Sequence, residues 1–241
     1  MFFLFKQKPV EITALVHEEY YFAAQYNPIR RASEFVPHWY KKMPSTKRNW
    51  GFNGYTEDQV TGKACVSIVK TFQHGFILPM WCDLALNLEE NNLQYQFSDN
   101  QSSLEIHPNS QLPNFQNNTL FCKLTTPWVF KCSQEINLLY TEPTFFLNHK
   151  PSYSIPSAIN PSVNKIIAGN LFLFIEPLPR KIDIHQGTPL LHLLPLMDKP
   201  FKLNIEVTTK NKWYMLRGGS PKISFLRDGL KKLRFHRNQK D

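Results

Sequence analysis

Glycine is scarce in this sequence, cysteine scarcer, and long apolar runs are missing. The 241 residues include nine glycines against eighteen prolines. Proline is excluded from helix interiors and central strands, so the chain is expected to be built from short elements, and compact β structure fits it better than a helical bundle. A bilayer-crossing helix needs about 18 uninterrupted apolar residues. The best stretches, 75–88 and 171–178, are broken by Pro79, Asp83, Glu176 and Pro177, so no membrane span is expected. The apolar start at residues 1–6 has no basic leader region and no small-residue cleavage site, and reads as a first strand or an anchoring arm.

The four cysteines, Cys65, Cys82, Cys122 and Cys132, form no C-x-x-C pair. That spacing excludes a zinc ribbon or a thioredoxin-type site. Cys122 and Cys132 sit among alternating apolar residues, where a thiol behaves as a small core side chain. Free, buried thiols in a reducing cytoplasm are the expectation. Neither H-E-x-x-H, G-x-x-x-x-G-K-[ST], G-x-S-x-G nor G-x-G-x-x-G occurs. Zincin, P-loop, serine-hydrolase and dinucleotide chemistry therefore lack their usual framework.

What the chain does have is a globular composition, 42% hydrophobic and 14% aromatic, which excludes wholesale disorder. Alternating or β-rich runs recur at 10–16, 64–69, 83–88, 93–97, 104–107, 120–124, 129–131, 136–140, 171–175, 190–194 and 201–207, with polar turns between them. Many short strands predict an all-β fold, a single-domain β-sandwich or barrel of jelly-roll type. In the run 201–207, Phe201, Leu203, Ile205 and Val207 are expected to face the core, and Lys202, Asn204 and Glu206 to face water. A short N-terminal helical region is predicted at 29–36 and 38–43, split by Pro37. Residues 148–161, with three prolines, predict a long surface loop.

Charge divides the chain. Residues 210–241 contain ten basic and two acidic side chains, a net +8 of the whole chain's +9. The expected organisation is therefore a β domain over 1–209 and a basic tail over 210–241. Within the tail, Ile223, Leu226, Leu230 and Leu233 recur at helical spacing after Ser220-Pro221, an N-cap followed by proline. Lys222, Arg227, Lys231, Lys232, Arg234 and Arg237 occupy the rest of that helix and its end, and are the candidate residues for an anionic partner. The alternative is that the apolar stripe docks on the protein's own domain. Gly229 weakens an isolated helix here by about 1 kcal/mol.

A jelly-roll iron oxygenase needs His-x-Asp/Glu and a distal histidine, so that two imidazoles and a carboxylate occupy one face of the metal. Only His17-Glu18-Glu19 has the His-x-Glu order, with His185 or His192 as distal partners, and Asp183-x-His185 has the reverse order. An enzyme would gather His17, Glu19, Asp183, His185 or His192 around one pocket. Otherwise His17 is an ordinary surface residue at a strand end, and no cofactor is expected. Trp39, Tyr40, Trp50 and Phe52 beside Arg30, Arg31, Lys41, Lys42, Lys47 and Arg48 could stack single-stranded bases; in the plainer reading the tryptophans, Trp81 and Trp128 among them, pack the core.

Four segments read together carry a resemblance: F-V-P-H-W-Y-K-K-M-P at 35–44, G-F-I-L-P-M-W-C-D-L at 75–84, T-T-P-W-V at 125–129 and I-H-Q-G-T-P-L-L-H-L-L-P at 184–195. In that order they resemble an uncharacterised protein family of tailed phages, notably cyanophages, with scattered bacterial members. The resemblance spans residues 10–208 and implies a phage source, the host cytoplasm or the virion as location, and no established activity. Residues 158–161, 169–174 and 182–190 are similar in layout to the last strands of the dUTPase/dCTP-deaminase barrel. In that family an acidic residue follows the isoleucine and activates water; here the position is Asn160, a poor general base. The expected function is non-catalytic, assembly or binding, with protein partners or self-association. The alternatives are an enzyme on a jelly-roll or dUTPase-like barrel, and a single-stranded nucleic-acid binder that uses the tail.

Overall fold

A computed structural model describes residues 8–50, 56–89, 92–108, 120–146, 152–162, 166–175, 180–197 and 199–218. In chain order the first elements are β1 (Val10–His17), α1 (Tyr21–Tyr26), β2 (Arg30–Arg31), α2 (His38–Lys42), β3 (Thr46–Trp50), β4 (Thr56–Val60) and α3 (Val66–Gln73). Then come β5 (Phe76–Pro79), β6 (Leu84–Glu89), β7 (Asn92–Phe97), β8 (Ser103–His107), β9 (Leu120–Thr125), β10 (Val129–Cys132) and β11 (Leu138–Thr141). The last are β12 (Ser152–Ser154), β13 (Ser157–Ile159), β14 (Ile167–Ala168), β15 (Leu171–Ile175), β16 (Arg180–Ile184), β17 (Pro189–Pro195), β18 (Phe201–Thr208) and α4 (Lys210–Gly218).

The strands form four main sheets, ordered β14-β10-β1-β18, β13-β11-β17-β5-β2, β12-β15-β9-β8 and β16-β6-β7, plus the hairpin β3-β4. All four main sheets send side chains into one apolar cluster, among them Ile12, Leu78, Leu86, Leu124, Phe130, Tyr140, Leu173, Ile182 and Leu191. The fold is all-β and sandwich-like. Trp81 and Trp128 are fully buried in that core. No helix among the described residues is long and apolar enough to cross a membrane.

The pairing explains the burial patterns. The first and last strands lie side by side: β1 pairs parallel with β18 and antiparallel with β10. On β1, Val10, Ile12, Ala14 and Val16 face the core, as period two requires. Glu11 and Thr13 on the other face are exposed or half-buried, yet Leu15 and His17 are buried, because α4 covers that end of the face. Among the described residues β18 is an edge strand, and its side chains are covered less completely. Phe201, Leu203 and Ile205 are half-buried against the core, whereas Val207 is 44% exposed and does not reach the interior expected of it.

Four other expectations change. Residues 29–36 form β2 and a 3-10 turn over Ala32–Phe35 rather than an α-helix, since Arg30 and Arg31 pair with Ile77 and Phe76 of β5. Residues 64–69 are not a strand. They close a 3-10 turn and open α3, where Phe72 is the buried residue; the run has only Val66, Ile68 and Val69 as its β signal, at spacings that equally suit a helix. The loop expected at 148–161 contains β12 and β13, paired to β15 and β11. All four cysteines are free, as expected, but Cys65 is only half-buried. The basic helix expected over 221–234 lies outside the described residues; the C-terminal helix that the structure describes, α4, precedes it.

Candidate functional site

The residues proposed for metal chemistry do not converge. His17 ends β1, Glu19 follows it in a 3-10 turn, Asp183 lies on β16, His185 just after it, and His192 on β17. His185 stands exposed, its Nδ1 3.7 Å from Asp83 Oδ1. His192 is buried in the middle of its sheet, and its Nε2–H donates to the His74 carbonyl at 2.8 Å. The His74 Nε2–H in turn donates to the Pro195 carbonyl at 3.0 Å. These two imidazoles clamp the β17 and β5 ends together. Among the described residues no three His, Cys, Asp or Glu side chains are placed to share a metal ion.

His17 is not the surface residue that the sequence suggested. It is 1% exposed and sits in an aromatic cage, edge-on to Tyr20 at 4.7 Å and to Trp213 at 4.9 Å between ring centroids, with Tyr214 stacked at 6.2 Å. Its Nδ1 has no hydrogen-bond partner. Burial pushes its pKa down; Glu19 and Glu18 pull it up, and Lys210 and Arg217 reinforce the fall. His192 is likewise depressed by burial, against its bond to the His74 carbonyl. Both imidazoles take up a proton less readily in the fold than in the unfolded chain, so acid favours the unfolded chain. Their contribution is complete above pH 6.5, the ordinary histidine value, and is lost as pH falls below it toward the depressed values. The urea midpoint is expected to drop between about pH 7.5 and about pH 5.5, and to drop less in His17→Phe, which cannot protonate.

The cage is the underside of the α4 seat. Thr209 starts the helix, its carbonyl accepting from Trp213 N–H at 2.9 Å. Trp213 fills the space over Leu15 and Val129, is 2% exposed, and donates its indole N–H to the Pro127 carbonyl at 3.0 Å. Three and four residues on, Leu216 packs beside it and Arg217 lies over its ring at 4.7 Å, with Arg217 Nη2 3.3 Å from Asn170 Oδ1. Lys210 Nζ binds Glu19 Oε2 at 2.6 Å, each lowering or raising the other's pKa in the direction that keeps both charged. The boundary expected after residue 209 therefore divides Trp213 from the pocket it fills. Sequence reasoning missed this seat. Its signal was the Trp213–Leu216–Arg217 face, together with Leu15 and Val129, apolar residues on the outer face of paired strands that need a cover.

No protein-family model, curated protein or solved structure matches this chain. The chemistry of the site therefore rests on its own residues. Of the ten basic side chains after residue 209, Lys210 and Arg217 are committed to docking α4, while Lys212 points to solvent. Lys222, Arg227, Lys231, Lys232, Arg234 and Arg237 lie outside the described residues. In the other basic region, Arg30 is occupied by Glu34 at 3.9 Å and by the Phe35 ring at 4.7 Å. Tyr40 is buried and bonds the Gly62 carbonyl, and Trp39 is the half-exposed ring beside it. A separate cavity of about 200 Å³ lies under α3, walled by Phe72, Phe145, Phe146, Ile77 and Leu194, with His192 at one side. Its lining is mostly apolar.

Proposed function

We propose that this protein acts by binding rather than catalysis, as an assembly or partner-binding component of the phage setting its sequence resembles. The observation that carries the reading is the division of charge: residues 210–241 hold +8 of a net +9. Such a segment attracts an anionic surface by long-range electrostatics, and a near-neutral body does not compete with it. The α4 seat supports the same reading. Trp213 seats Lys210–Gly218, the part of the basic segment that the structure describes, on the β domain. Three of the five polar residues that might have served catalysis are engaged in structure, His17 in its cage, Glu19 with Lys210 and His192 with the His74 carbonyl, while Asp183 and His185 are exposed.

The test of the assembly role is quantitative mass spectrometry of purified particles beside infected-cell lysate. Stoichiometric copies in the particle are expected. Presence in the lysate alone would overturn the particle role and move the partner to the cell interior.

A further inference from the structure

Among the described residues, β18 ends its sheet. Among the described residues β18 is hydrogen-bonded to β1 alone, and at eight residues it is the longest edge strand. Its ladder with β1 fixes which backbone groups are already used. Val10 N–H donates to the Pro200 carbonyl at 2.8 Å, and Val10 is aligned with Phe201. In a parallel ladder this parity turns the amides and carbonyls of Lys202, Asn204 and Glu206 toward β1. Those of Phe201, Leu203, Ile205 and Val207 therefore point outward.

We infer that a second copy of this chain pairs antiparallel with β18 about a two-fold axis at Asn204. In that register Leu203 meets Ile205 of the other copy and Phe201 meets Val207, and each such pair exchanges both of its outward hydrogen bonds. Asn204 meets its own counterpart, a pair that does not exchange hydrogen bonds. The exposed face decides the register. Lys202 lies opposite Glu206 of the other copy, and Glu206 opposite Lys202, both in the closely spaced positions where cross-strand charges interact best. No other antiparallel register brings those two residues together.

On the opposite face, Leu203 and Ile205 are half-buried and Val207 is exposed. A copy paired here would cover what the single domain leaves open, and the four-stranded sheet would continue across the axis. Such an isologous contact closes after two copies. The alternating charges that guard an edge against unspecific pairing here select one partner. This inference stands on the strand alone and does not depend on the basic segment.

Sedimentation of the full chain tests it through charge reversal, since Lys202 and Glu206 are both exposed and tolerate substitution. The unmodified protein is expected to sediment as a dimer. Lys202→Glu or Glu206→Lys alone places like charges opposite each other twice and is expected to weaken the dimer by roughly tenfold. The double variant restores both pairs and the dimer. Asn204→Cys adds a test of register: its two copies would face each other with Cα atoms about 4.5 Å apart, within disulfide reach, so mild oxidation should give a covalent dimer that the unmodified chain does not give. A monomeric unmodified chain would overturn the inference, leaving the edge to another segment or another protein. So would single reversals without effect, or a double variant that fails to recover.

Discussion

Replacing Trp213 with alanine is expected to cost about 3–5 kcal/mol of stability, the usual loss for a large buried aromatic. Trp213 is 2% exposed and closes the small apolar cluster with Leu15 and Val129. Its removal opens that cluster and strips the edge contact from the His17 ring. It also leaves the Pro127 carbonyl without its donor and Arg217 without the ring it lies over. The neighbouring Tyr214 is 54% exposed, and Tyr214→Ala is expected to stay within about 0.5 kcal/mol of the parent. Urea unfolding of the two variants side by side separates the α4 seat from a general effect of losing an aromatic. Equal midpoints would mean that α4 is not seated through Trp213.

Gly75→Ala is expected to be the most damaging small change. Gly75 has φ +77°, a left-handed conformation that costs other residues about 1–2 kcal/mol. A Cβ there would also run into the Leu193 carbonyl oxygen, and would lie 3.1 Å from the Leu194 side chain and 3.2 Å from His192 Nε2. The first of these is backbone of a central strand and cannot rotate away. Overpacking of that kind adds about 1–3 kcal/mol, so a loss of about 2–5 kcal/mol is expected in thermal or urea unfolding. The damage should fall on the junction where His192 donates to the His74 carbonyl and β17 meets β5. Gly187→Ala is the comparison. It shares the positive φ, at +83°, but its added Cβ would meet only the Asn27 side chain, at 3.2 Å, so a smaller loss, near the conformational term alone, is expected.

The strands were legible in the sequence where one face is wet, because polar and apolar residues then alternate. β6 shows it: Leu84, Leu86 and Leu88 are buried while Ala85 and Glu89 are exposed. Alternation fails where an element is covered on both sides or on neither. At the end of β1, His17 looked like a surface histidine because its cover, Trp213, lies 196 positions away, and local pattern does not register distant contacts. β2 and β12–β14 are two or three residues long, too short to show a period, and owe their conformation to the partner strand. Residues 64–69 read as a strand because β-branched residues suit both states; in the fold tertiary packing decides, and 66–69 open α3. Of the site, the charge division was plain in composition. The docking of Lys210 and Arg217, which ties those two charges to the β domain, was not.

The central claim is that the basic segment beyond α4 is the binding element. The direct measurement is a salt titration of binding to polyglutamate, comparing the full chain with a chain ending at Gly218. The shorter chain keeps Trp213 and its seat and loses residues 219–241, which hold seven basic and two acidic side chains. The full chain is expected to bind with an affinity that falls steeply as salt rises, and the shorter chain to bind at least about tenfold more weakly with the same melting temperature. Equal binding by the two chains, or binding by the full chain that ignores salt, would contradict the account.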